Sequence, residues 1–271
     1  MLTIDDLFPG APAVIGMIHL PALPGTPASS DTPLELIERA CAEAELYRRA
    51  GVDGVIVENM HDRPYLRGAV GPEITATMAV ACARVRERFG GPTGVQVLAG
   101  ANEAAIAIAH AAGLDFVRVE GYIFGHVADE GWLDACAGPL LRYRRRIGAE
   151  GLPILADIKK KHAAHAATAD VDLAETAKAA EFFLADGLIV TGSATGQKCV
   201  LSELDAVCSA TGLPVFAGSG VTAEDLPGLA GRIRGAIVGS ALKLGGDWRR
   251  ELDIERVEDL VAAARALRSA S

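Results

Sequence analysis

The chain has 271 residues, is 50% hydrophobic and carries a formal net charge of −9. That size suits an α/β domain with ample core, and the acidic balance argues against nucleic acid as a partner. Five cysteines at scattered spacing make neither a disulfide framework nor a zinc pattern and fit the reduced thiols of a cytoplasmic protein, while no apolar run suits a leader peptide or a membrane span.

In chain order, the first strand is predicted at Val14–His19, followed by a Pro- and Gly-rich loop, HLPALPGTPASSD. Helical periodicity runs over Leu34–Ala50 and stops at Gly51; a second strand follows at Val55–Glu58, then the loop ENMHDRPY and a helix over Ile74–Phe89. Further strands are predicted at Val95–Leu98, Phe116–Glu120 and Ile154–Asp157. GHVADEG, after the fourth strand, reads as a loop and cap. A helix over Leu173–Ala185 leads to the sixth strand, Leu188–Thr191. The seventh, Val215–Ala217, stops at Gly218-Ser219-Gly220; Thr222 is expected to cap a helix there, with Glu224 and Asp225 in its first turn. The eighth, Ala236–Val238, ends at Gly239-Ser240, and a last helix covers Glu255–Leu267.

Eight strand–helix units in this length predict a parallel sheet closed into a single (β/α)8 TIM barrel, one domain over residues 1–271. An open doubly wound sheet is the alternative, but no G-x-G-x-x-G follows the first strand. AGVDGVIVE (50–58) and AGLDFVRVE (112–120) echo each other, as duplication or convergent βα geometry would produce.

Barrel strands alternate between interior and helix layer. Turning Val117 and Val119 outward, and applying that parity elsewhere, points His19, Glu58, Gln96, Arg118, Glu120, Asp157, Lys159 and Thr191 inward, mostly at the C-terminal strand ends where barrel active sites assemble. Mutual neutralisation of Arg118 and Glu120 is the plainer explanation; a polar ligand site is the functional one. Lys160, Lys161 and His165 read as solvated.

Gly218, Ser219, Gly220, Gly239 and Ser240 fall after the seventh and eighth strands, where barrels bind phosphate, so their backbone is expected to receive a phosphate, helped by a following helix N-terminus. VTGSATGQK (190–198) adds a third small-residue loop; Thr191 and Ser193 there, with His19, Asn59, Gln96 and Arg118, are the substrate-binding candidates, and Lys198 could reach a ligand anion. Glu58, Asn59, His61 and Asp62 could ligate a divalent metal, though no H-x-H fixes a geometry, and no cofactor is firmly implied. Asp157 and Lys159, two apart on one strand, share a face: Asp157 is the candidate general base and Lys159 the oxyanion stabiliser. Glu58 and Glu120 are the second acid–base pair, with Arg118 restraining Glu120 or fixing an anionic substrate group.

IGMIHLPALPGTP, GVDGVIVENMHDRPY, LLRYRRRIGAEGLPILADIKKKHA, DGLIVTGSATG, FAGSGVT and GAIVGSALK together resemble the BtpA/SgcQ family, in order across nearly the whole chain. The resemblance implies a ribulose-phosphate-binding type of TIM barrel. One family name comes from a photosystem I assembly factor; another member belongs to a sugar-utilisation gene cluster and is described as a nucleosidase. The chain departs from the commoner bacterial N-V-L-R-N-D after the third strand, with Gln96-Val97-Leu98-Ala99-Gly100-Ala101-Asn102, and EGYIFGHVADEG is a variant form closer to the eukaryotic branch.

Two function classes follow: an enzyme acting on a phosphorylated small metabolite (isomerase, lyase or nucleosidase-like), or a non-catalytic assembly factor. Interior charges and phosphate loops favour the first, and no large exposed apolar helix face is expected for the second. Barrels of this kind often pair, so a homo-oligomer is expected, with Trp248 as a candidate contact anchor.

Overall fold

The computed structural model describes residues 2–160, 162–192 and 200–270. A short helix α1 (Ile4–Leu7) precedes β1 (Ala13–His19) and α2 (Pro33–Ala50). Thr32 and Glu35 form a capping box at the start of α2, Pro33 fits its first turn, and Gly51 ends it in the left-handed region at φ 78°. The chain continues through β2 (Gly54–Glu58), α3 (Pro72–Phe89), β3 (Thr93–Gln96), α4 (Asn102–Ala112) and β4 (Phe116–Val119). A hairpin of β5 (His126–Ala128) and β6 (Gly131–Leu133) interrupts the alternation before α5 (Ala137–Arg146) and β7 (Ile154–Ile158). Then come β8 (Ala163–Ala164), α6 (Leu173–Phe182), β9 (Gly187–Thr191), α7 (Leu201–Ala210), β10 (Val215–Gly218), α8 (Leu226–Leu229), β11 (Gly235–Val238) and α9 (Ile254–Ala270).

The eight long strands pair in parallel and close in the order β1-β11-β10-β9-β7-β4-β3-β2. This is a TIM barrel, and the open sheet is excluded by the β1–β11 pairing that joins Val14 to Ala236. The alternation expected along the strands holds. Ile15, Met17, Ile56, Phe116, Leu155, Ile189, Phe216 and Ile237 fill the interior. Val55, Val57, Val117, Val119, Ile154 and Ala156 pack against the helices.

The two echoed aspartates, Asp53 and Asp115, and a third before β9, Asp186, have a common task at the N-terminal rim. Asp53 accepts a hydrogen bond from Val14 N at 2.7 Å, Asp115 from Thr93 N at 2.9 Å and Asp186 from Ile154 N at 2.8 Å. Each carboxylate thus ties the start of one strand to the start of the next, and an arginine backs each one: Arg268, Arg86 and Arg144. In the last strand pair the corresponding position is Arg234, which instead reaches Asp5 of α1 at 2.6 Å. Phe8, just after α1, closes the barrel floor, its ring edge-on to Phe116 and Phe216 at 5.7 and 6.0 Å.

Three local expectations are corrected. GHVADEG is not merely a loop: β5 pairs with β6 and β8 in a small antiparallel sheet. Thr222 does not cap a long helix. Its hydroxyl donates to Glu224 and Asp225, and α8 is four residues long with Asp225 at its N-cap. The helix predicted over Leu173–Ala185 stops at Phe182, and Leu184 turns left-handed at φ 64°.

Candidate active site

The C-terminal ends of the strands surround a cavity of about 360 Å³. Met17 and Ile237 floor it. Glu58, Gln96, Arg118, Glu120 and Lys160 line one side, and Ser219, Gly220, Gly239 and Ser240 line the other. Because β10 and β11 lie across the ring from β3 and β4, the Gly-Ser turns face Gln96 and Arg118 over the width of the barrel. Asp129 and Glu130, in the β5–β6 turn, and Trp248 complete the mouth.

Each charged side chain follows from its strand position. Arg118 on β4 meets Asp157 on the neighbouring β7 in a forked contact, Nη2 to Oδ2 at 3.0 Å and Nε to Oδ1 at 3.2 Å. Burial alone would lower the guanidinium pKa, but attraction to Asp157 and Glu58 raises it. Lys160 Nζ donates to Glu120 Oε2 at 3.1 Å. Here too burial opposes the charge and the carboxylate wins, so the ammonium pKa is raised. At the ends of β1 and β2, His19 Nε2 lies 3.6 Å from Glu58 Oε2, with both side chains buried.

This pairing corrects the predicted one. Arg118 holds Asp157 rather than Glu120, and Asp157 is absent from the wall of this cavity, whereas Glu58 and Glu120 are on it. Lys159 does not stand beside Asp157 at the mouth. It adopts φ 46°, which breaks the strand alternation, and its ammonium turns away to donate to the Val171 carbonyl. Lys160, expected in solvent, takes the interior place at 7% exposure. His165 is half-buried, its Nε2 3.0 Å from the Lys160 carbonyl oxygen and its ring 5.4 Å from the buried His126.

The candidate metal ligands are not assembled. Asn59 donates to Asp62 at 2.9 Å and accepts from Leu98 N at 2.7 Å, and Asp62 also accepts from Leu23 N at 2.8 Å. These bonds brace the loops after β1, β2 and β3, so Asn59 is a loop brace and not a cavity residue. His61 packs against Trp248 at 4.8 Å; burial, with Arg63 and Lys243 adding, pushes its pKa down to about 4. Among the described residues no three His, Cys, Asp or Glu side chains are grouped to hold a metal ion.

Of the predicted phosphate turns, Ser219, Gly220, Gly239 and Ser240 reach the cavity. Ser219 and Gly220 are successive left-handed residues, φ 72° and 64°, so the chain turns sharply at the cavity wall. A Cβ on Gly239 would lie 3.1 Å from the His19 ring, so glycine lets that turn pack on the histidine. Gly218 serves the strand instead: a Cβ there would lie 2.9 Å from Ile189. The helix-dipole contribution expected behind these turns is small, because only a four-residue helix and one 3₁₀ turn follow them. Thr191 is buried below the mouth with its hydroxyl unpartnered among the described residues, while Ser193, Lys198 and Lys161 lie outside the described residues.

Sequence reasoning missed Lys160, Glu130, the position of Trp248, and Tyr65, which also lines the cavity. Trp248 packs on its own chain, against His61 and under Arg63 at 5.0 Å, and lines the mouth of the cavity. A left-handed residue at the end of β7, which shifts the inward position from Lys159 to Lys160, leaves no mark in the run KKK.

Several proteins share this architecture. A geranylgeranylglyceryl phosphate synthase from Thermoplasma acidophilum, solved with sn-glycerol-1-phosphate, superposes with a TM-score of 0.62 at 14% identity, covering 98% of this chain and 100% of that one. Phosphoribosyl anthranilate isomerase from Thermus thermophilus superposes with a TM-score of 0.57 at 15% identity, covering 94% and 99%. At such identities the likeness is one of fold. In sequence, a mitochondrial uncharacterized protein of Caenorhabditis elegans is 46% identical over 95% of this chain and 94% of its own length. The photosystem I biogenesis protein BtpA of Synechocystis is 36% identical over 94% and 89%. Residues 11–266 match the BtpA family as a whole. The chain therefore belongs to the BtpA family.

Proposed function

We propose that this single-domain chain is an enzyme acting on a phosphorylated small metabolite by acid–base chemistry at the C-terminal mouth of the barrel. The observation that carries this reading is one cavity with the Gly-Ser turns on one side and buried ionisable groups on the other. The substrate phosphate is received by Ser219, Gly220, Gly239 and Ser240. Glu58 is the principal acid–base group, with His19 beside it and Glu120 second. Lys160, held charged by Glu120, takes the oxyanion-stabilising role first assigned to Lys159. A Schiff-base role for Lys160 is disfavoured by its raised pKa. Asp157 fixes the Arg118 guanidinium on the cavity wall.

Gly220→Val tests the phosphate assignment. Valine at φ 64° is strained and puts two methyl groups where the anion approaches. Phosphate affinity measured by calorimetry should fall about tenfold or more, as expected for loss of charge-assisted hydrogen bonds, while the barrel still melts cooperatively. Wild-type phosphate affinity in this variant would remove the assignment.

A second reading, a non-catalytic assembly factor, is favoured by one observation that sequence did not anticipate: Phe182 and Leu184 are 81% and 67% exposed beside a half-exposed Phe183. A wild-type chain whose melting is unmoved by every compound in a phosphometabolite library would support it. The same apolar triplet, rather than Trp248, is the proposed contact of a homo-oligomer. Light scattering at micromolar concentration should show a dimer or larger species that Phe182→Ser dissociates; a wild-type monomer would refute this. No helix among the described residues is long and apolar enough to cross a membrane. A cytoplasmic setting without nucleic-acid partners remains part of the proposal, with the nematode relative named as mitochondrial. Cell fractionation of the tagged chain decides it.

A further inference from the structure

Two acceptor atoms on the cavity wall lack a donor. Gln96 Oε1 and Glu130 Oε2 are both buried with no hydrogen-bond partner among the described residues, and both residues line the cavity. Gln96 is 2% exposed at the end of β3, while Glu130 belongs to the β5–β6 turn above it. Buried polar atoms are seldom left unmatched, so unmatched acceptors on two separate elements, carried by residues that line one cavity, call for a ligand that can donate to them. The neighbouring cations are each matched by a carboxylate, so this wall carries no spare positive charge for a second anionic substituent. Arg118 is spent on Asp157 and Lys160 on Glu120, and the carboxylate of Glu58 adds another acceptor on the same wall. A second phosphate or a carboxylate would be repelled here. A neutral polyol, each of whose hydroxyls can donate one hydrogen bond, matches. The Gly-Ser turns stand across the ring from this wall, at the other end of a cavity of about 360 Å³.

We propose that the Gln96–Glu130 side of the cavity reads the hydroxyl groups of a sugar, so that the ligand class is a monosaccharide monophosphate with free hydroxyls. Gln96 and Glu130 are its specificity-determining residues. This inference rests on the phosphate reading of the Gly-Ser turns. Sites built to hydrogen-bond a hydroxyl discriminate strongly against analogues that lack it, because the protein's own polar atoms then stay unpaired.

The test is calorimetric titration of the full chain with ribose 5-phosphate and with tetrahydrofurfuryl phosphate, which keeps the ring and phosphate but has no hydroxyls. Wild type should prefer ribose 5-phosphate by about tenfold or more. Gln96→Met should reduce that preference to within about threefold by weakening the sugar phosphate alone. Glu130→Ala, on the turn, should reduce it in the same direction and serves if the buried Met variant fails to fold. Equal affinity of wild type for the two compounds, or an unchanged preference in the folded variants, overturns the inference. Unchanged binding of both compounds by Gly220→Val overturns the phosphate reading instead, and failure of both compounds to bind wild type overturns both.

Discussion

Glu58→Gln is expected to lower turnover about 10²–10⁴-fold, the usual span for removing a general acid or base. Glutamine keeps the size and the hydrogen-bonding reach of the side chain but cannot take up a proton. Glu58 ends β2 with its side chain 7% exposed, on the cavity wall, 3.6 Å from His19 Nε2 and within the electrostatic reach of Arg118. Turnover is measured on the phosphometabolite selected by thermal-shift screening, alongside calorimetric phosphate binding, which should be retained because the Gly-Ser turns are untouched. Turnover near wild type would remove Glu58 from the mechanism. Loss of binding with unchanged turnover at saturation would recast it as a substrate ligand.

Asp157→Ala is expected to act on stability first. It leaves the Arg118 guanidinium, 8% exposed, without its forked partner in the barrel interior. Breaking a buried ion pair from one side typically costs about 3–5 kcal/mol. Urea unfolding should show that loss, and the double variant Arg118→Met with Asp157→Leu should recover most of it, since the stranded charge is then gone. The opposite result is informative: an Asp157→Ala protein that unfolds like wild type but turns over 10²-fold more slowly, within the range of about 10²–10⁴ for a lost base, would restore Asp157 as the general base.

The fold was legible because its signals are repeated. Eight apolar runs, helix-ending glycines such as Gly51 and Gly113, and one consistent parity placed the barrel strands within a residue or two of their observed ends. Family resemblance and parity agreed on the mouth of the barrel, and His19, Glu58, Gln96, Arg118 and Glu120 do meet there. What failed was pairwise. Which carboxylate an arginine chooses depends on the strand beside it, and β7 brings Asp157 to Arg118 while Lys160 takes Glu120. The exchange of Lys159 for Lys160 depends on one left-handed residue that is not glycine. The hairpin over the mouth was hidden because β5 and β6 are three residues each and join across a two-residue turn rich in acid, without an Asn-Gly or Asp-Gly signal.

The aspartate ties at the N-terminal rim have a consequence for synthesis on the ribosome. Each of the first three strand pairs carries its own tie, Asp53, Asp115 or Asp186, to a strand made shortly before it, so each can latch as it emerges. The fourth pair has no such aspartate. Its Arg234 closes on Asp5, and Phe8 finds its place only between Phe116 and Phe216. The segment of residues 4–8 therefore completes its contacts only once residues as distant as Phe216 and Arg234 have been made. Until then Ile4 and Phe8 lack part of the barrel floor that buries them in the finished fold, and a chaperone tending the nascent chain would find apolar surface there.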